Sequence, residues 1–222
     1  MSFELDKEQK MMIDEVRKIV RGEIAPLAAE LDKTAGFPEH THRTFAQNDL
    51  LNPLLPEAYG GVDLSYLMFA YILSEVARAC ASSALLLIAQ ADGMLPILHG
   101  GSPALKEKYL PRLKDDSMVL TALAATEPNA GSDLLSMETV AVHKGDKYII
   151  NGQKTFNTEC HYSEYHWLAA RTDFNPDIPK YKGISLFVVD MDSPGISIRP
   201  LWTMSGERTN EVYYDNVRVP ES

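Results

Sequence analysis

Apolar residues recur at helical spacing near the start of the chain. Between Asp6 and Ile24 they fall at Met12, Ile13, Val16, Ile19 and Val20 with charges between them, and Pro26 then interrupts the run. This pattern predicts an amphipathic helix. A second helix begins near Pro38, and Asn52, Pro53 and Pro56 break the chain before a turn at Gly60–Gly61. Asp63 is placed to cap a third helix, Leu64–Ala79, and Ser82 or Ser83 a fourth that runs to about Leu98 before Gly100–Gly101. Ser102 followed by Pro103 marks one more helix start, because proline at the first helical position gives up only an amide that would be unpaired anyway. After Asp115–Asp116 the pattern changes to short apolar segments between turn residues: Val119–Ala125, Val140–His143, Tyr148–Ile150, Trp167–Arg171, Ile184–Val189, Ile196–Ile198 and Val212–Tyr214. These predict strands. Asn151–Gly152 is expected to turn a tight hairpin, since both central positions of that turn need positive φ, and Lys144–Gly145–Asp146 to make another reversal.

Helices followed by strands, without alternation, predict two segregated domains. With 222 residues, 45% of them hydrophobic, the chain is long enough to bury real cores. Its formal net charge of −10 argues against nucleic-acid binding, which needs clustered Lys and Arg to neutralise phosphates. The most apolar stretch, Cys80–Leu98, is interrupted by Ser82, Ser83, Gln90, Asp92 and Pro96, so it predicts a buried helix and not a membrane span. Met1–Gln9 carries acidic residues where a signal peptide would carry basic ones. Cys80 and Cys160 form no CxxC pair, which points to a reducing, cytoplasmic setting and to no zinc site of standard spacing.

Chemistry enters with Thr126-Glu127-Pro128-Asn129-Ala130-Gly131-Ser132-Asp133, directly after a strand. Its small residues let backbone amides and hydroxyls approach a phosphate or a flavin edge, although such a stretch in isolation reads as a surface turn. Its company changes the reading. Lys147-Tyr148-Ile149-Ile150-Asn151-Gly152-Gln153-Lys154 follows at a short distance, then Phe156, Thr158 and Leu168-Ala169-Ala170-Arg171. Farther on come Pro194-Gly195-Ile196, Gly206-Glu207-Arg208 and Val217-Arg218-Val219-Pro220. This ordered series resembles the middle domain of acyl-CoA dehydrogenases, and Leu55-Pro56-Glu57-Ala58-Tyr59-Gly60-Gly61 resembles their N-terminal helical domain.

The resemblance implies an α+β fold. An N-terminal all-helical domain spans 1–116, and an antiparallel β-barrel or sandwich-like middle domain that cradles a flavin spans 117–222. It further implies non-covalently bound FAD, an acyl-CoA substrate dehydrogenated between its α and β carbons, an electron-transferring flavoprotein as partner, and a homo- or heterotetramer. Carried over by position, Thr126 hydrogen-bonds the flavin pyrimidine edge, Thr158 sits by the reactive N5, and main-chain groups at Leu123 and Ala125 line the ring. Gly131 and Ser132 lie near the flavin diphosphate or the CoA arm. Phe156 stands where the family usually has a tryptophan packing on the flavin. Ala89 and Asp92 lie on the helix that in relatives lines the acyl pocket.

The departures carry information of their own. After Thr158 the family usually shows Asn-Gly, where this chain has Glu159-Cys160, and the Gly206–Asn210 stretch is shorter than in fatty-acid members. Asp92 stands where an apolar side chain is expected. Either it is a carboxylate whose pKa an apolar pocket raises into a usable acid or base, which tips the substrate toward an alicyclic acyl group, or it is a helix-end residue at a subunit boundary. The family's catalytic Glu lies in a C-terminal helical domain that this sequence does not contain. A fragment of a longer enzyme is therefore expected, the alternative being a non-catalytic subunit that only binds. Glu159, Cys160, His161, Glu164 and His166 match no standard metal-ligand spacing and are expected to form a metal-free surface loop. His40 and His42 are expected to be solvated.

Overall fold

The computed structural model describes residues 3–114 and 120–221. The chain divides into two compact units, Met1–Met118 and Val119–Ser222. The division expected after Asp116 falls in 115–119, outside the described residues.

In the helical unit, α1 (Lys7–Ile19) starts from a reciprocal cap: the Asp6 carboxylate accepts the Gln9 N–H and the Gln9 side chain accepts the Asp6 N–H. The helix then widens into a π turn, Val20–Ile24, and tightens into a 3-10 turn, Ala25–Leu27. Pro26 is the cause, since it has no N–H and its ring crowds the carbonyl four residues back. The chain re-enters a helix that the sequence pattern did not announce, α2 (Ala28–Thr34), before α3 (Glu39–Gln47). The rest of the unit is α4 (Tyr66–Ala79), α5 (Ala81–Gly100) and α6 (Pro103–Tyr109). Ser65, not Asp63, caps α4: its Oγ accepts the Met68 N–H at 3.2 Å, whereas Asp63 sits at φ 50 and gives its N–H to the Leu55 carbonyl. Ser82 and Ser83 lie inside α5, because Cys80 ends one helix and starts the next. Ile13, Val16, Phe45, Ile72, Val76, Leu86 and Leu87 share one buried cluster. By length and composition α5 is apolar enough to cross a membrane, yet Leu86, Leu87, Met94 and Ile97 are fully buried, as in a core helix.

The second unit is a seven-stranded sheet of β1 (Leu120–Ala124), β2 (Val140–Lys144), β3 (Lys147–Lys154), β4 (Tyr165–Arg171), β5 (Ile184–Asp190), β6 (Ile196–Trp202) and β7 (Arg208–Pro220). Its order is β1-β4-β2-β3-β7-β6, with β5 paired to β4. The helical unit followed by a sheet unit bears out the α+β fold; the sheet is mixed and not closed, so the antiparallel barrel or sandwich-like description fits the second unit only loosely. β4 runs parallel to β1 and, at Val140–Arg171, to β2. The whole β2–β3 hairpin lies between β1 and β4 in sequence, long enough for a parallel crossover. Gly145–Asp146 is the two-residue turn of that hairpin, with Gly145 at φ 70. Asn151–Gly152 makes no turn: it lies inside β3, where the register against β7 shifts between Ile150 and Gly152. Gly152 sits at φ 153, and a Cβ there would come within 2.4 Å of Thr139 Oγ1 and 2.7 Å of Thr139 Cα. Glycine is required by a bulge and a close approach, not by a hairpin.

Candidate functional site

The Thr126–Asp133 stretch follows β1 and is tied down over its first half. The Glu127 and Ala130 main chains bond each other at 3.0 and 3.2 Å across Pro128–Asn129, and the Thr126 carbonyl accepts the Thr155 N–H at 2.9 Å. Lys154, at the end of β3, donates to the Ala125 carbonyl at 2.9 Å and to Glu127 Oε1 at 2.8 Å. Glu127 also accepts the amides of Glu138 at 2.6 Å and Thr139 at 3.0 Å. Lys154 is 0% exposed and Glu127 6%. Burial raises the Glu127 pKa, but its hydrogen bonds, led by Lys154, outweigh that and hold it below the usual carboxylate range. Burial draws the Lys154 ammonium down and Glu127 only partly restores it. Both residues lie in the quoted motifs, yet neither carries an assigned role from sequence. The legible signal was a lysine on the inward face of a strand, in line with buried Ile150.

The loop after β3 turns sharply. Phe156 at φ 59 and Glu159 at φ 61 both occupy left-handed backbone, a conformation that costs a non-glycine residue roughly 1 kcal/mol or more. The loop is held by the Thr158 N–H on the Phe156 carbonyl, by the Asn157 N–H on the Asn210 carbonyl, and by the Thr158 hydroxyl, which donates to Thr209 Oγ1 at 3.2 Å. Phe156 consequently projects its ring, 66% exposed, while Thr126 and Thr158 are half-buried. The Thr155–Thr126 bond ties the loop that carries Phe156 and Thr158 to the turn that begins at Thr126. Gly131 and Ser132 are exposed on that turn, and a Cβ at Gly131 would meet nothing within 4 Å. Leu123 lies on β1 opposite Trp167, and its side chain is outside the described residues.

The cluster expected as a surface loop is largely interior. Cys160 and His166 are each 1% exposed, because the 3-10 turn Cys160–Tyr162 folds under the sheet and His166 points inward from β4. Burial pushes the Cys160 thiol up to about 12. Burial first, then the nearby Lys154 charge, pushes the His166 imidazole down to about 3; its Nε2 meets the Tyr214 hydroxyl at 2.9 Å. His161 is drawn down to about 4 by burial and then Arg208. Glu159 Oε2 is sealed from solvent without a hydrogen-bond partner, and burial, with Glu207 second, raises its carboxyl to about 7. His42 is also buried, against the ring of Phe37 on the inner side of α3, whereas His40 is exposed.

Asp92 and Ala89 belong to the helical unit. Ala89 is buried, while Asp92 is exposed one turn from Ile88, which is 38% exposed and was not singled out from sequence. Pro96 has no N–H to give the Asp92 carbonyl, so the helix ladder is broken at this residue. Partial desolvation raises the Asp92 carboxyl above its ordinary value. A separate groove of about 480 Å³ in the β unit is lined by Leu135, Met137, Arg171, Phe174 and Lys180.

Comparison with known proteins gives the same picture. Residues 6–116 match the model of the acyl-CoA dehydrogenase N-terminal domain, and residues 122–217 that of the acyl-CoA dehydrogenase middle domain. The chain is 52% identical over 97% of its length to cyclohex-1-ene-1-carbonyl-CoA dehydrogenase of Geobacter metallireducens. It is 47% identical over 98% of its length to the protein of the same description in Syntrophus aciditrophicus. It spans 57% and 52% of those two relatives. A chain in the structure of the electron transferring flavoprotein of Acidaminococcus fermentans superposes with TM-score 0.88 at 28% identity, covering 100% of this chain and 58% of that one.

Proposed function

The chain belongs to the acyl-CoA dehydrogenase family, and from that premise we propose that it is the flavin- and acyl-facing part of an FAD-dependent dehydrogenase acting on an alicyclic acyl-CoA. The observation that carries the reading is the tie between the two motif segments: the Thr155 N–H on the Thr126 carbonyl joins the turn that begins at Thr126 to the loop in which left-handed Phe156 leaves its ring exposed. A projecting ring flanked by hydroxyls and amides suits a planar cofactor with a polar edge, so the residues present fit FAD. The alicyclic substrate is supported by the descriptions of the two relatives.

Bound FAD supplies the hydride acceptor. Around it Phe156 would stack, Thr126 would hydrogen-bond the pyrimidine edge, Thr158 would orient the reactive nitrogen, and the main chain at Leu123 and Ala125 would line the ring. Gly131 and Ser132 serve the diphosphate or the CoA arm. Asp92 takes or holds a proton of the acyl group, its raised pKa making it a usable base, and Ala89 keeps the wall behind it small. Electrons pass to an electron-transferring flavoprotein, and the working form is an oligomer, a tetramer by family resemblance. A cytoplasmic location is supported by two buried cysteines that remain free.

The test is anaerobic mixing of the full-length protein with cyclohex-1-ene-1-carbonyl-CoA and with a straight-chain acyl-CoA, reading flavin absorbance. The alicyclic thioester is expected to bleach the flavin faster, and Asp92→Asn to slow bleaching about 100-fold with FAD still bound. A protein that stays colourless with its partners present would favour a non-catalytic binding subunit. Turnover of every tested acyl-CoA unchanged in Asp92→Asn would remove Asp92 from the chemistry.

A further inference from the structure

Lys154 carries its ammonium into the interior of the β unit, where no part of the side chain is exposed. A buried cation forfeits several kcal/mol of hydration, so the groups that meet it indicate why it is there. Glu127 neutralises it at 2.8 Å, and the Glu138 and Thr139 amides hold the carboxylate in place. The second contact is less obvious. The ammonium also donates to the Ala125 carbonyl at 2.9 Å. That carbonyl and the Thr126 N–H are the two ends of one planar peptide group. A full positive charge on the oxygen draws electron density toward it and makes the N–H at the other end a stronger donor, an effect that a low-dielectric interior enlarges. The next carbonyl along the chain, that of Thr126, accepts the Thr155 N–H at 2.9 Å, so the peptide is restrained at its own carbonyl and at the one that follows.

We propose that Lys154 is a positioning residue for the cofactor: with Glu127 as its counter-charge, it fixes and polarises the Ala125–Thr126 peptide so that the Thr126 amide becomes a strengthened donor to the flavin edge. This rests on the FAD reading above. A stronger donor at the ring edge favours the more electron-rich, reduced cofactor, so the pair raises the flavin potential and tightens FAD binding without leaving a net buried charge.

The experiment uses the full-length protein loaded with FAD and three variants: Lys154→Met, Lys154→Met with Glu127→Gln, and Lys154→Arg. FAD affinity, the two-electron potential against a reference dye, and the unfolding midpoint are measured for each. The double variant leaves no orphaned charge and is the one expected to fold best. It should bind FAD about tenfold more weakly and show a lower potential, because the Thr126 amide loses the charge that strengthens its bond to the flavin edge. Lys154→Arg should recover part of the potential, which a purely structural role would not require. Potential and affinity equal to the parent's in a folded double variant overturn the proposal and leave the FAD reading standing. A parent protein that binds no FAD overturns both. In the loaded parent, the Thr126 amide proton should move downfield on FAD binding; an unshifted resonance overturns the proposal without any variant.

Discussion

Replacing Glu159 by glutamine should stabilise the protein at alkaline pH and leave it nearly unchanged at acid pH. Glu159 Oε2 is sealed from solvent without a hydrogen-bond partner, and burial, with the Glu207 charge second, raises its pKa to about 7 from an unfolded value of 4.5. The folded state therefore holds a proton that the unfolded chain has already released. Below the unfolded pKa both states are protonated and there is no penalty. Between the two values stability falls as pH rises, and above pH 7 the full cost is present. A displacement of that size corresponds to about 3 kcal/mol, which water at the accessible part of the side chain trims to about 2 kcal/mol. Glutamine keeps the shape and removes the titration. Denaturant unfolding of the two proteins at pH 4, 5, 6, 7 and 8 is the assay, and the stability difference should open from within about 0.5 kcal/mol at pH 4 to about 2 kcal/mol in favour of glutamine at pH 8. His161 and His166, held neutral by burial, cost stability as pH falls below the usual histidine range in both proteins and so cancel in the difference. A difference independent of pH, or a glutamine variant less stable at pH 8, would show that the carboxylate is charged and partnered in the fold and would refute the reasoning.

Three further outcomes follow from single sites. Thr158→Ala in the full-length enzyme should slow flavin reduction about tenfold or more while weakening FAD retention less; the opposite pattern would remove the Thr158 hydroxyl from the reactive edge of the ring. Gly152→Ala should cost about 2 kcal/mol or more in unfolding free energy, since its Cβ would lie 2.4 Å from Thr139 Oγ1 at a φ of 153, and a neutral result would mean that the β3 bulge yields freely. Gln90 is 0% exposed with both amide atoms unpartnered among the described residues, so Gln90→Met should raise stability by about 1–2 kcal/mol. A loss of stability there would show that the amide binds buried water.

The sequence by itself determined the order of helices and strands, because the periods that separate them are local. Helical spacing from Asp6 onward, the helix start at Ser102–Pro103, and the Gly145 reversal all hold in the structure, whereas the Asp6 cap was not read from the sequence. The family was legible too, since the two motif runs flank a short stretch of chain. Periodicity says which face of an element is apolar; it does not say which element covers that face. For that reason only the tertiary structure revealed that β4 pairs parallel with β1, that Asn151–Gly152 is a bulge within a strand, and that His42, Cys160 and His166 are interior. The same holds at the candidate site. Thr126, Phe156 and Thr158 were readable as motif positions, but the contact between Lys154 and Glu127, 27 residues apart, depends on β3 carrying a cation inward to a turn that follows another strand. Such a pairing is fixed by strand register and packing between segments distant in sequence, and those are properties of the folded sheet that no local pattern encodes.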